Sequence, residues 1–226
     1  MLLQAKVGGG LLGGEAGGKA LYYVNRYTIT TNTTTYTFSS CDLGTPSDDR
    51  RVIVAAHMYG STGRTLTSAT INGVSATELT TDSINTANTV LIIANVPTGS
   101  TGDIVLTWSS GCAGSAVTVW YATGLTSDTP VDASRGSGSS PTSTSALTTV
   151  AGGFIAAAAT CRYNSGTTRT HSWTNATEIF DLEFENTGTD GVSISAAYVN
   201  PTDGSSITLT DTLSVAGSVV VVAATF

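Results

Sequence analysis

The sequence predicts an all-β chain, an antiparallel β-sandwich of jelly-roll type behind a Gly-rich N-terminal arm. Three observations carry that expectation. No segment of ten or more residues spaces its apolar side chains with the 3.6-residue period of a helix. Short runs rich in Val, Ile, Thr and Trp recur instead, each closed by Gly, Pro, Asn or Ser. Between two of these runs stands Asn72-Gly73, a pair that tolerates the positive φ of a two-residue type I′ hairpin turn.

Residues 1–20 form the arm. Gly8-Gly-Gly10, Gly13-Gly14 and Gly17-Gly18 alternate with Leu2, Leu3, Leu11 and Leu12. Glycine loses more chain entropy on ordering than any other residue, so the arm should not fold alone. Its four Leu side chains are poorly placed in water, which makes them expected contacts to a partner. Residues 21–226 read as a single sandwich domain. Leu21-Tyr-Tyr-Val-Asn-Arg-Tyr-Thr-Ile-Thr30 and Thr34-Thr-Tyr-Thr-Phe-Ser39 are two strands, the second with Tyr36 and Phe38 on one face. The central block, residues 51–123, supplies strands beginning at Arg51, Ser68, Thr89, Asp103 and Ala116. Residues 126–145 are almost purely polar and read as a long surface loop. Further strands follow at Ala146, Gly153, Glu178, Val192, Ile207 and Ser218. The last, Ser218-Val-Val-Val-Val-Ala-Ala-Thr225, is continuously apolar and belongs inside a sheet covered on both faces or paired against a neighbouring subunit. Eleven to thirteen strands in two facing sheets are expected.

Charged residues make up 11% of the chain and the net charge is −7. With no cluster of Lys and Arg to neutralise phosphates, a nucleic-acid partner is not expected. No run reaches the roughly 18 apolar residues of a membrane helix, and the N-terminus lacks the apolar core of a signal peptide, so no membrane partner is expected either. Cys41, Cys112 and Cys161 are odd in number and widely spaced, which predicts reduced, buried thiols.

Candidate chemistry is sparse. Gly8-x-Gly10-x-x-Gly13 matches a dinucleotide fingerprint in letters, but no strand precedes it and no helix follows. In Gly13-x-x-x-x-Gly18-Lys19-Ala20, Ala20 stands where a phosphate loop needs a magnesium-binding hydroxyl. His57 and His171 lack metal-ligand spacing, and a Cys112–His57 pair has no local signature. No cofactor and no metal site is expected, and no catalytic residue. Asp181, Glu183 and Glu185 alternate with Phe180, Leu182 and Phe184, which puts three carboxylates on one strand face. They are read as an acidic solvent face and a candidate subunit contact. Trp108 and Trp120 are read as core, and Trp173, in Thr170-His-Ser-Trp-Thr-Asn175, as an exposed contact residue.

The order Ala69-Thr-Ile-Asn-Gly-Val-Ser-Ala-Thr77, Leu91-Ile-Ile-Ala-Asn-Val-Pro-Thr-Gly-Ser-Thr-Gly-Asp-Ile-Val-Leu-Thr-Trp108 and Val117-Thr-Val-Trp-Tyr-Ala-Thr-Gly-Leu125 resembles a structural protein type of tailed bacteriophages and prophages of alphaproteobacteria. The resemblance covers about a third of the chain clearly and the C-terminal third loosely. It implies a jelly-roll scaffold in a virion, made in the bacterial cytoplasm and decorating the head as cement, spike or fibre base. The implied partners are the major capsid protein or neighbouring subunits, including copies of itself as a homo-oligomer. The alternatives are a minor tail or fibre protein and, from other classes, a lectin-like module that binds a host surface glycan and, last, a glycan-degrading enzyme.

Overall fold

The computed structural model describes residues 18–60, 63–164, 168–186 and 190–226. Leu2, Leu3, Leu11 and Leu12 lie outside the described residues. Described segments are all-β, with every strand pair antiparallel.

The first half runs β1 (Ala20–Ile29), β2 (Thr33–Asp42), β3 (Arg51–Tyr59), β4 (Leu66–Ile71), β5 (Val74–Ser75), β6 (Thr77–Ile84), β7 (Ala87–Asn95), β8 (Thr101–Cys112) and β9 (Gly114–Thr123). It builds a five-stranded sheet in the order β1-β9-β3-β7-β6 and a four-stranded sheet β2-β8-β4-β5. The second half runs β10 (Asp132–Ser139), β11 (Thr142–Ser143), β12 (Ile155–Asn164), β13 (His171–Thr174), β14 (Thr177–Asn186), β15 (Asp190–Val199), β16 (Thr210–Leu213) and β17 (Ser218–Thr225). Its sheets are β10-β17-β12-β15-β14 and β11-β16-β13. The β-sandwich character is as expected, but two facing sheets become four layers. Each half is a sandwich, and the two five-stranded sheets also pack on one another.

Period-two alternation drives this stacking. In β3, Val52, Val54 and Ala56 face the four-stranded sheet, while Ile53 and Ala55 face the second half. β12 does the same with Ala157 and Ala159 on one side and Ala156 and Ala158 on the other. Both central strands are therefore buried on both faces, and the apolar β17 lies inside its sheet between β10 and β12 as the sequence implied. Trp120 is fully buried between the halves and Trp108 within the first sandwich. Tyr36 and Phe38 share one buried face. At the β4–β5 turn Asn72 and Gly73 have φ of 51° and 78°, and Ile71 pairs with Val74 across a two-residue turn.

The segment 126–145, expected as a surface loop, contains β10 and β11. β10 is an edge strand whose whole ladder runs to β17, from Asp132↔Thr225 to Ser139↔Ser218. Its Gly136 is needed for close approach: a Cβ there would lie 2.0 Å from the Ser143 carbonyl oxygen.

Among the described residues of the first sandwich, one cationic side chain is fully buried. Arg50 is 0% exposed and donates to five carbonyls, those of Val96, Leu43, Gly44, Thr98 and Gly99. The guanidinium fork thereby fixes two loops at one end of the sheets.

Candidate functional site

The second sandwich brings together three side chains that lie far apart in the sequence. His171 on β13 places Nδ1 2.8 Å from Asp211 Oδ2 of β16, and its Nε2 lies 2.9 Å from Ser193 Oγ of β15. An ionised carboxylate only accepts, so Nδ1 carries the hydrogen, and in the neutral ring Nε2 accepts from the Ser193 hydroxyl. Period two explains how the strands present these groups. Ser193 and Ser195 alternate with Val192, Ile194 and Ala196, so both hydroxyls point to the small sheet while the apolar side chains face the first half. Ser195 Oγ accepts from Trp173 Nε1 at 2.9 Å, and the His171 backbone amide donates to Asp181 Oδ2 at 3.0 Å.

This connectivity is that of a nucleophile, a base and an orienting carboxylate. Its position is not. Ser193 and Asp211 are 0% exposed, and the His171 side chain is equally enclosed. Ser193 sits on an interior strand between β12 and β14, so no carbonyl of an external substrate reaches its Oγ in this conformation. What the array does in this state is fasten β13 and β16 onto β15 through directed hydrogen bonds. Asp211 Oδ1 and Asp181 Oδ1 are buried without a hydrogen-bond partner, which leaves the cluster polar and incompletely satisfied. Burial raises the pKa of Asp181 and of Glu178, since each carboxylate loses water.

A second polar cluster lies where the halves meet. His57 Nδ1 is 2.8 Å from Thr160 Oγ1 of β12, and Nε2 is 3.3 Å from Thr118 Oγ1 of β9. Thr89 Oγ1 lies 2.6 Å from the same Thr160 oxygen. Loss of hydration, with a smaller contribution from His171, pushes the His57 pKa down to about 3. Cys112 lies in the other core, on the far side of the first five-stranded sheet, so the Cys112–His57 pairing does not form. All three cysteines are free and buried, and burial pushes Cys41 and Cys161 up to about 12 and Cys112 to about 11.

The remaining residues singled out in the sequence fall as follows. Trp173, expected to be exposed, is half-buried against the second-sandwich core with its Nε1 satisfied by Ser195. The strand carrying it adds an edge to the small sheet, so the ring turns inward. Asp181 and Glu183 do share a face of β14 opposite Phe180 and Leu182. That face is not purely solvent, because Asp181 bonds to β13 and Glu183 Oε2 accepts from Thr168 Oγ1 at 2.6 Å. The side chain of Glu185 lies outside the described residues. Sequence reasoning missed Ser193, Asp211 and Arg50. Hydroxyls at alternate positions of the apolar run Val192-Ser-Ile-Ser-Ala were the available signal for a buried polar seam. No family model matches the chain, and no curated protein or solved structure does.

Proposed function

We propose that the chain is a structural subunit of a tailed-phage virion, decorating the head and assembling with the major capsid protein or neighbouring subunits. One observation carries this reading beside the sequence resemblance: the two sandwiches share a single core and form a four-layer block. Both large sheets are covered on both faces, which leaves sheet edges and outer faces as the surfaces for contact. The outer face of the β2-β8-β4 sheet is rich in hydroxyls and sparsely charged, with Thr34, Thr35, Thr37 and Thr67 exposed beside the carboxylate of Asp103. Such a face suits a subunit that must stay soluble before assembly and offer its edges for pairing. The order β1-β9-β3-β7 over β2-β8-β4-β5, in which the first strand lies beside the last, is read as a jelly roll. The residues carrying the resemblance, 69–125, span β4 to β9 of that unit.

The test is quantitative mass spectrometry of purified particles. The expected result is a fixed copy number in virions, recovered with heads when heads and tails are separated. Recovery with tails alone would favour the tail-fibre alternative, and absence from particles would overturn the proposal. A variant lacking residues 1–17 should keep its melting temperature yet fail to enter particles. Normal incorporation would remove the arm from the assembly contact.

A further inference from the structure

The two halves are built to the same plan. In each, the large sheet places the first strand beside the last, then the third strand, then the two that precede the small sheet's closing strand. Chain order within the small sheets agrees too, β2-β8-β4 against β11-β16-β13. Agreement reaches individual hydrogen bonds. Thr65 N donates to Ser109 Oγ at 3.1 Å while Ser109 N donates to Thr65 O at 2.8 Å. Thr170 N donates to Ser214 Oγ at 3.0 Å while Ser214 N donates to Thr170 O at 2.9 Å. The preceding Arg64 and Arg169 donate to Gly111 O and Ala216 O respectively, each just ahead of its half's last strand. The matched segments Ala76-Thr-Glu-Leu79 and Ala176-Thr-Glu-Ile179 both open an edge strand, and both ladders skip one residue after the Glu.

That shared bulge fixes the correspondence elsewhere. Thr77 pairs with Ile93 and Thr177 with Tyr198, so Ile93 corresponds to Tyr198. Their partners Ile53 and Ala156 then correspond, and four residues on so do His57 and Thr160. Across the seam these two equivalent positions touch one another, at 2.8 Å. By the same ladders Trp120 corresponds to Ala224, hence Thr118 to Val222, hence Arg26 to Arg135. The Arg26 guanidinium lies 4.5 Å over the Phe180 ring of β14. Arg135 Nη1 donates to the Thr81 carbonyl of β6 at 2.8 Å, and β6 and β14 are themselves equivalent. Each half therefore sends the same arginine across to the same strand of the other half, while one position meets its own counterpart at the centre. These contacts follow an approximate two-fold, isologous pattern, but the seam closes unequally: β6 and β7 lie close against β10, β17 and β12, whereas their counterparts β14 and β15 stand further off from β1, β9 and β3.

We propose that the chain is two tandem copies of one sandwich unit, and that the face joining them is a self-complementary dimer interface in fused form. The partner this surface fits is a second copy of the unit. The inference does not depend on the virion reading. Its test keeps the whole protein and inserts a protease site between Thr129 and Pro130 of the connector. After cleavage of the folded protein, the two pieces should co-elute as one 1:1 complex and stay together on dilution below micromolar concentration. In the cleaved protein, Arg26→Ala, which removes a cation–π contact, and Arg135→Ala, which removes a hydrogen bond to a carbonyl, should each weaken that complex in the same sense, by about 2- to 30-fold. Separation or aggregation of the pieces at micromolar concentration would overturn the proposal. So would weakening by one arginine substitution with no effect from the other, since equivalent contacts must both matter.

Discussion

Acid should loosen the seam between the halves through His57. The side chain is fully buried among Thr160, Thr118 and the apolar faces of both large sheets, and its pKa falls from 6.5 to about 3. A depressed folded-state pKa gives stability that is complete above the unfolded value and lost as pH falls towards the folded one. Between about 6.5 and 3 the unfolded chain binds a proton that the native chain refuses. Each pH unit in that window removes about 1.4 kcal/mol. From pH 7 to pH 5 the loss is about 2 kcal/mol. The carboxyls of Asp181 and Glu178 act in the opposite sense, because their raised pKa lets the native state take up a proton first as pH falls. Comparison with His57→Gln, which keeps hydrogen-bonding capacity and cannot titrate, cancels that contribution. Urea unfolding at pH 7, 6, 5 and 4 should show the wild-type protein losing about 2 kcal/mol relative to the variant by pH 5. Parallel pH profiles for the two proteins would mean that His57 accepts its proton in the folded state, and the argument from burial would fail.

Arg50→Met should cost about 3 kcal/mol or more in chemical denaturation, because it strands the buried carbonyls of Leu43 and Val96. Arg50→Lys should restore only part of it, since an ammonium cannot span five acceptors. Trp120→Ala should cost about 3–5 kcal/mol by opening a cavity between the halves, and a loss below about 1 kcal/mol would place the ring outside the core. Cys41, Cys112 and Cys161 should resist maleimide in the native protein and all react after denaturation without reductant. Labelling of only one would reveal a disulfide.

Strong side-chain alternation made most of the first sandwich legible. Tyr36 and Phe38, the Asn72-Gly73 turn and the buried β17 follow from period, turn chemistry and continuous apolarity. β10 did not announce itself, because Asp132-Ala-Ser-Arg-Gly-Ser-Gly-Ser139 contains no β-branched or aromatic residue. Pairing with β17 and the space left by Gly136 hold it in place, and both are supplied by distant parts of the chain. The second pair of sheets was hidden for a related reason. A central strand such as β12 shows only that both faces are covered, not whether its own half or another does the covering. Likewise His171, Ser193 and Asp211 come from three strands that no local spacing connects. Trp173 is more enclosed than its polar neighbours suggested, because the pairing of β13 with β16 turns the ring towards Ser195.

The shared core also sets a schedule for synthesis. In each half the first strand pairs with the last, so neither sandwich closes until its final strand has left the ribosome. The first half completes its ladder with β9, while the chain that will cover Ile53, Leu91, Ile93 and Trp120 is still untranslated. At 5–20 residues per second, the remaining hundred or so residues take roughly 5–20 s. For that interval an apolar sheet face made to receive a second copy of the unit stands open to every other nascent chain bearing the same face. Tandem arrangement shortens the wait by delivering the proper partner on the same polypeptide, and slowing translation after residue 123 should raise the yield of chains trapped through that face.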